Sequence, residues 1–168
     1  MSRIKEVFFS LPERNYLLLC CDGASKGNPG VAGFGFIGRN DSGDCVIAMS
    51  GGLGVATNYY AEIMVVLYAG ECAIQHGHFL LIFRSDSQSV IEAFRSMKVP
   101  WFGISRWKKI CEKALDWRFI HSYREVNFSA DTMAKRGANL QRGECISYNH
   151  RPPFLTQMEN GQQIYYKF

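Results

Sequence analysis

Residues 17–38, LLLCCDGASKGNPGVAGFGFIG, put an aspartate at the mouth of an apolar run and gather small residues around it. Tyr16 to Cys21 has the length and composition of a buried strand. Gly27-Asn28-Pro29-Gly30 is a turn, with glycine and proline supplying the backbone conformations a reversal needs. Val31 to Gly38 then alternates, with Ala32, Phe34 and Phe36 on one face and Gly33, Gly35 and Ile37 on the other. That period of two predicts a half-buried strand. Asn40-Asp41-Ser42-Gly43 is a second turn, and Cys45 to Ser50 a third strand. The three strands read as an antiparallel meander.

Beyond the meander the period changes. Tyr60 to His76 is apolar nearly all round, predicting a helix packed on a sheet and covered by other elements. Thr57 or Asn58 can cap its start, and Gly77 ends it. Phe79 to Phe83 is a strand-length apolar run that stops at Arg84-Ser85-Asp86. Helices are expected over Ser87–Met97, Ser105–Asp116 and Asn127–Leu140, with a short strand at Trp117–Ser122. The order β-β-β-α-β-α-α-β-α predicts an α/β fold with a five-stranded mixed sheet, antiparallel strands first and parallel crossovers after. Residues 1–15 read as an N-terminal extension and 16–143 as the domain. Residues 144–168 read as a tail, packed on the domain or flexible.

At 168 residues the chain has one domain's worth of sequence, and its 47% apolar and 20% charged residues exclude wholesale disorder. A net charge of +4 is compatible with a polyanionic partner without demanding one. The six cysteines form no CxxC pair and have no histidine at zinc spacing, so they read as reduced thiols and the location as intracellular. No signal-peptide core is visible, and the longest apolar run, Ile63 to Ala69, is too short to span a membrane.

Four acids stand out by position. Asp22 and Asp86 each end a strand, where ligands gather in open α/β sheets. Glu62 and Asp131 sit in the first turns of helices that can pack near that edge. Taken singly, each has a structural explanation as turn, cap or partner of the helix dipole. Together they would repel, by roughly 4 kcal/mol per pair at 4 Å and an effective dielectric of 20, so a shared site calls for cations. All-oxygen ligands suit Mg²⁺ or Mn²⁺, and two such ions form a clamp for in-line attack on phosphorus.

The blocks CDGASKGNPGVAGFGF, TNYYAEI, FRSDSQSV and REVNFSADTMAKRGA occur in this order between Tyr16 and Asn139. Together they resemble type-1 ribonuclease H, above all the plant-type domains found in retrotransposon reverse transcriptases. The resemblance implies the ribonuclease H-like fold and endonucleolytic hydrolysis of the RNA strand of an RNA–DNA hybrid. It implies two Mg²⁺ ions, replaceable by Mn²⁺, held by Asp22, Glu62, Asp86 and Asp131. Asp22 would bridge both ions, and Asp86 and Asp131 would hold one each. Asn28 and Asn58 fall where the family senses the ribose 2′-hydroxyl, the group that separates RNA from DNA. Thr57 falls on a position that grips a DNA-strand phosphate, and Gln88 on one close to the RNA strand. The expected state is a monomer without membrane contact, or a domain of a larger polyprotein.

The chain departs from the family in two places. The loop before Asp131 is Tyr123-Arg124-Glu125-Val126-Asn127 and lacks the histidine that many relatives carry. Arg124 or Asn127 is the candidate to reach the scissile region, and His121, in the strand before, reads as structural. Tyr59 stands where many relatives have asparagine or glutamine. Basic residues interleave with Trp101, Phe102 and Trp107 between Arg95 and Arg118, which suits either a duplex backbone or an amphipathic helix with solvated lysines. Two other readings remain: a hybrid-binding module with weak or no catalysis, and a nucleotide-binding protein. The second lacks the Gly-Lys-Ser/Thr that closes a phosphate loop.

Overall fold

The computed structural model describes residues 3–168. Among the described residues, four helices and a six-stranded mixed sheet are accompanied by a separate two-stranded ribbon. The elements, in chain order, are β1 (Lys5–Phe8), β2 (Leu17–Gly27), β3 (Gly30–Arg39), β4 (Cys45–Ala56) and α1 (Asn58–Gln75). There follow β5 (Leu80–Ser85), α2 (Gln88–Arg95), α3 (Ile104–Lys113) and β6 (Asp116–His121). A 3₁₀ turn (Arg124–Val126), α4 (Phe128–Ala138), β7 (Cys145–Tyr148) and β8 (Ile164–Lys167) complete the chain.

The sheet order is β6-β5-β2-β3-β4-β7, parallel between β2, β5 and β6 and antiparallel elsewhere. The meander and the crossovers are as expected, and β7 adds a sixth strand at the β4 edge. Sequence alternation sorts the two faces of β2. Leu17, Leu19 and Cys21 bury against α1, while Leu18 and Cys20 pack with Ala130 of α4. On the α1 side, Phe83, Phe94 and Phe119 surround a fully buried Trp107. Trp107 is therefore core, and it does not belong to a duplex-binding face.

Glycine sets how closely α4 approaches. A Cβ built on Gly33 would lie 2.1 Å from the Ala138 amide nitrogen, and one on Gly35 2.3 Å from that of Ala134. The helix rests directly on strand backbone, which fixes the height of Asp131 above the sheet.

Three boundaries differ from expectation in ways that bear on the site. β2 does not stop at Asp22; it continues to Gly27, paired throughout with β3. Its parallel pairing with β5 does end early, at Cys20↔Arg84. Asp22 is thus mid-strand, with a partner on one side and an open crevice on the other. β4 runs to Ala56, far past Ser50, through Gly51, Gly52 and Gly54, where the absence of side chains erases any alternation. α1 begins at Asn58, capped by Thr57, whose Oγ1 accepts from the Tyr60 amide at 3.1 Å. That start puts Glu62 in the second turn, where the helix dipole no longer accounts for its charge.

Candidate active site

The fork where β5 leaves β2 is the origin of the site. Asp22 projects from β2 beside this opening, and Asp86 follows the last residue of β5. α1 comes in over Gly23, where an added Cβ would lie 2.8 Å from both the Ala61 Cβ and the Glu62 nitrogen. The missing side chain lets Glu62 reach across to Asp22. One carboxylate oxygen from each of Asp22, Glu62 and Asp86 lies within 4.8 Å of the others.

Hydrogen bonding leaves this group short of donors. The Gly23 amide is shared, donating to Asp22 Oδ1 at 3.0 Å and to Glu62 Oε1 at 3.1 Å. Glu62 Oε2 is buried without a partner among the described residues. Burial raises the Asp22 carboxyl far above the usual carboxylate range, and the neighbouring Glu62 and Asp86 charges add to it. Glu62 is raised by burial and then by Asp86, against the shared Gly23 amide and the Arg124 cation. Asp86 is raised by burial and drawn back by Arg124. Removing water thus favours protonated acids here, and a divalent cation would favour the ionised ones. The orphaned oxygen and the all-oxygen donor set fit a hard cation.

Asp131 stands apart from the three. It lies in the first turn of α4, on the wall of the cavity that Asp22, Asp86 and Arg124 also line. Its Oδ2 pairs with Lys135 Nζ, one turn along the helix, at 2.8 Å. The fourth acid therefore faces the cleft but is held by its own helix.

The cleft, about 870 Å³, extends from the acids past Asn28, Asn58 and Tyr59 on one side and His121 and Tyr123 on the other. Asn28 Oδ1 accepts from the Asn58 amide at 3.1 Å, tying the glycine loop to the start of α1. Thr57 and Gln88 are exposed at helix starts near the cleft but do not line it; Ser87 and Ser89 do so in place of Gln88. Both loop candidates, Arg124 and Asn127, line the cavity wall by the acids. Asn127 is buried, and its Nδ2 donates to the Cys21 carbonyl at 3.0 Å, which makes it a strut between β2 and α4.

His121 is the last residue of β6, in register with Ser85, and lies exposed on the cleft wall. The signal was its place one residue from the edge where Asp86 emerges, which only the β5–β6 pairing reveals. The three arginines of the basic stretch have internal partners, Arg95 donating to the Phe119 carbonyl, while Lys98, Lys108, Lys109 and Lys113 are exposed and without an ion pair among the described residues. Arg106 forms a two-pronged pair with Glu71, and Arg118 bonds Glu13 and Asp116.

A mixed sheet with acids converging at the fork between a parallel and an antiparallel neighbour defines a ribonuclease H-like α/β domain. The family model described as reverse transcriptase-like matches residues 20–137. The ribonuclease HI of Halobacterium salinarum is 35% identical over 120 residues, covering 67% of this chain and 59% of that protein. The crystal structure of ribonuclease H1 from the halophilic archaeon Halobacterium salinarum NRC-1 superposes with a TM-score of 0.68 at 28% identity, over 74% of this chain and 98% of that one. LC11-RNase H1, solved in complex with an RNA/DNA hybrid, gives 0.64 at 26% identity, over 73% and 96%. The chain belongs to the type-1 ribonuclease H family.

Proposed function

We propose that the chain hydrolyses the RNA strand of RNA–DNA hybrids, with divalent metal ions held by Asp22, Glu62, Asp86 and Asp131. The observation that carries this reading is the trio of carboxylates within 4.8 Å, one of whose oxygens is buried without a donor. Such a group is costly to maintain unless a cation completes it. Two Mg²⁺ ions, or Mn²⁺ in their place, supply when bound a nucleophilic water at neutral pH and charge neutralisation at the leaving oxygen.

The protein's own share is placement. Asp22, rigid in mid-strand, is the fixed point; Asp86 and Glu62 approach it from a strand end and a helix. Asn28 and Asn58, tied to one another, line the cleft where a ribose 2′-hydroxyl would be recognised. Thr57 and Gln88 stand at the outer margin, suited to backbone contact. Arg124 tempers the acidity of the floor and offers a cation to the phosphate under attack.

Incubating a labelled hybrid with Mg²⁺ or Mn²⁺, beside the Asp22→Asn variant, tests the reading. Cleavage by the parent protein and none by the variant is expected; no cleavage by either defeats it. The Asp131–Lys135 pair favours a second reading, a hybrid-binding module in which the fourth ligand is withheld. Tight hybrid binding without cleavage would select that one.

A further inference from the structure

The two ends of the chain meet beside the cleft. β1 and β8 pair antiparallel, Lys5 opposite Lys167 and Val7 opposite Tyr165. Paired residues share a face, and alternate pairs return to it. Val7 is buried, so Lys5 and Lys167 lie on the inward face of the ribbon, toward the domain. Both ammonium groups lie over the Tyr123 ring, at 4.6 and 5.2 Å from its centroid, and Lys5 Nζ donates to the Tyr123 hydroxyl at 2.6 Å. Tyr123 immediately precedes the 3₁₀ turn that carries Arg124. Lys167 is also 3.9 Å from Glu125 Oε1 of that turn, and it lines the same cleft as Asp22 and Asp86.

We infer that the terminal ribbon is the outer wall of the substrate groove, and that Lys167 contacts backbone phosphates of the bound nucleic acid. The inference rests on the nuclease reading. The floor of the cleft is acidic and repels a polyanion, so the phosphates need cations on the rim. Lys135 on α4 and Arg124 on the turn supply two, and Lys167 extends the line beyond the turn. The ribbon lies outside residues 20–137, so this contact comes from parts of the chain that the family model does not match. Lys167 is well placed for the role because its Glu125 pairing is the longest ion pair among the described residues.

Hybrid binding is measured across roughly 50–200 mM salt in the cleavage-silent Asp22→Asn background, with Lys167→Gln, Lys167→Arg and Arg14→Ala added in turn. Arg14 is exposed before β2, away from the cleft lining, and serves as control. Lys167→Gln is expected to weaken binding about fivefold and to make the plot of log affinity against log salt shallower by about one. Lys167→Arg and Arg14→Ala should match the background. The inference is overturned if Lys167→Gln keeps both affinity and slope, or if Lys167→Arg loses as much as the glutamine variant, since charge would then not be the cause. If the parent protein neither binds nor cleaves hybrid, the nuclease reading falls; cleavage with an unchanged Lys167→Gln slope fells only the ribbon's role.

Discussion

Two buried carboxylate regions lie on this sheet and are built in opposite ways. Glu159, 1% exposed, accepts from the Ser129 amide at 3.0 Å and from the Ser129 hydroxyl at 2.6 Å. Arg39 donates to its backbone carbonyl at 2.7 Å, and the Arg39 and Arg84 guanidiniums each lie 4.7 Å from the Phe9 ring centroid. Asp22, 7% exposed, shares a single amide with Glu62 and faces two further acids. A buried charge that the protein satisfies itself is architecture. One left unsatisfied beside like charges is a place kept for something else.

The largest test of that contrast is Asp22→Asn. Hybrid cleavage should fall at least roughly a thousandfold, about 4 kcal/mol of barrier, while the metal-free protein melts higher than the parent. The amide keeps the shape and spares folding the cost of either burying a charge or taking up a proton there. Activity within tenfold of the parent would erase the distinction between the two regions. Glu159→Ala should do the reverse. It leaves the Ser129 amide and hydroxyl without their carboxylate acceptor and removes the negative charge that acts on Arg84, at a cost of about 3 kcal/mol, while the Arg39 bond to the backbone carbonyl stays. Urea unfolding should show this loss, and Mg²⁺ should not restore it. A loss below about 1 kcal/mol would mean that Glu159 is replaceable by water.

The acids were legible in the sequence because strand period and chain order put Asp22 and Asp86 at one sheet edge. Glu159 was not, because it lies in a stretch with no period, and its partners are 30 and 120 positions away. The same reason hides the terminal ribbon: four-residue strands at opposite ends of the chain are too short to show alternation. β4 lost its pattern to Gly51, Gly52 and Gly54, while Gly33 and Gly35 of β3 are what let α4 settle on the sheet and bring Asp131 to the cleft. Helices announced themselves within one to three residues, α3 ending at Lys113 where Asp116 was expected, but the first turn matters most here. Starting α1 two residues early moved Glu62 beyond the reach of the dipole explanation. The place of His121 on the cleft wall depends on which strand lies opposite it, and that of Asn127 on the Cys21 carbonyl it reaches, neither of which a single residue announces.

The metal-free cluster should also show in the pH dependence of stability. Folded Asp22 and Glu62 hold protons more tightly than the unfolded chain does, Glu62 being pushed up to about 8 by burial and then by Asp86. Their contribution is complete below the unfolded carboxylate range, near pH ~4, and is lost as pH rises through the folded values. In that window the folded state carries more protons, so stability falls by about 1.4 kcal/mol per pH unit for each proton retained. Melting in a chelator between pH 5 and 8 should fall with pH. Mg²⁺ should flatten the trend by stabilising the ionised form. Asp22→Asn should weaken the trend; a flat parent profile would put the acids in ordinary water.

Asp131 lies between the two regions, since it faces the cleft as Asp22 does but has a protein partner as Glu159 does. The partner is an exposed lysine in an i,i+4 pair, worth about 0.3–0.5 kcal/mol, a small fraction of what satisfies Glu159. Lys135→Gln should therefore barely move the metal-free melting temperature. It should also lower the Mg²⁺ or Mn²⁺ concentration needed for half of the metal-induced rise in melting temperature. Removing a cation from the rim strengthens the pull on a divalent ion and releases the Asp131 carboxylate toward the other three. Substrate is absent from this measurement, so any part Lys135 plays in holding phosphates does not enter. If the half-point stays put while stability drops by more than 1 kcal/mol, Asp131 belongs with Glu159 as a structural acid, and the metal site is the trio alone.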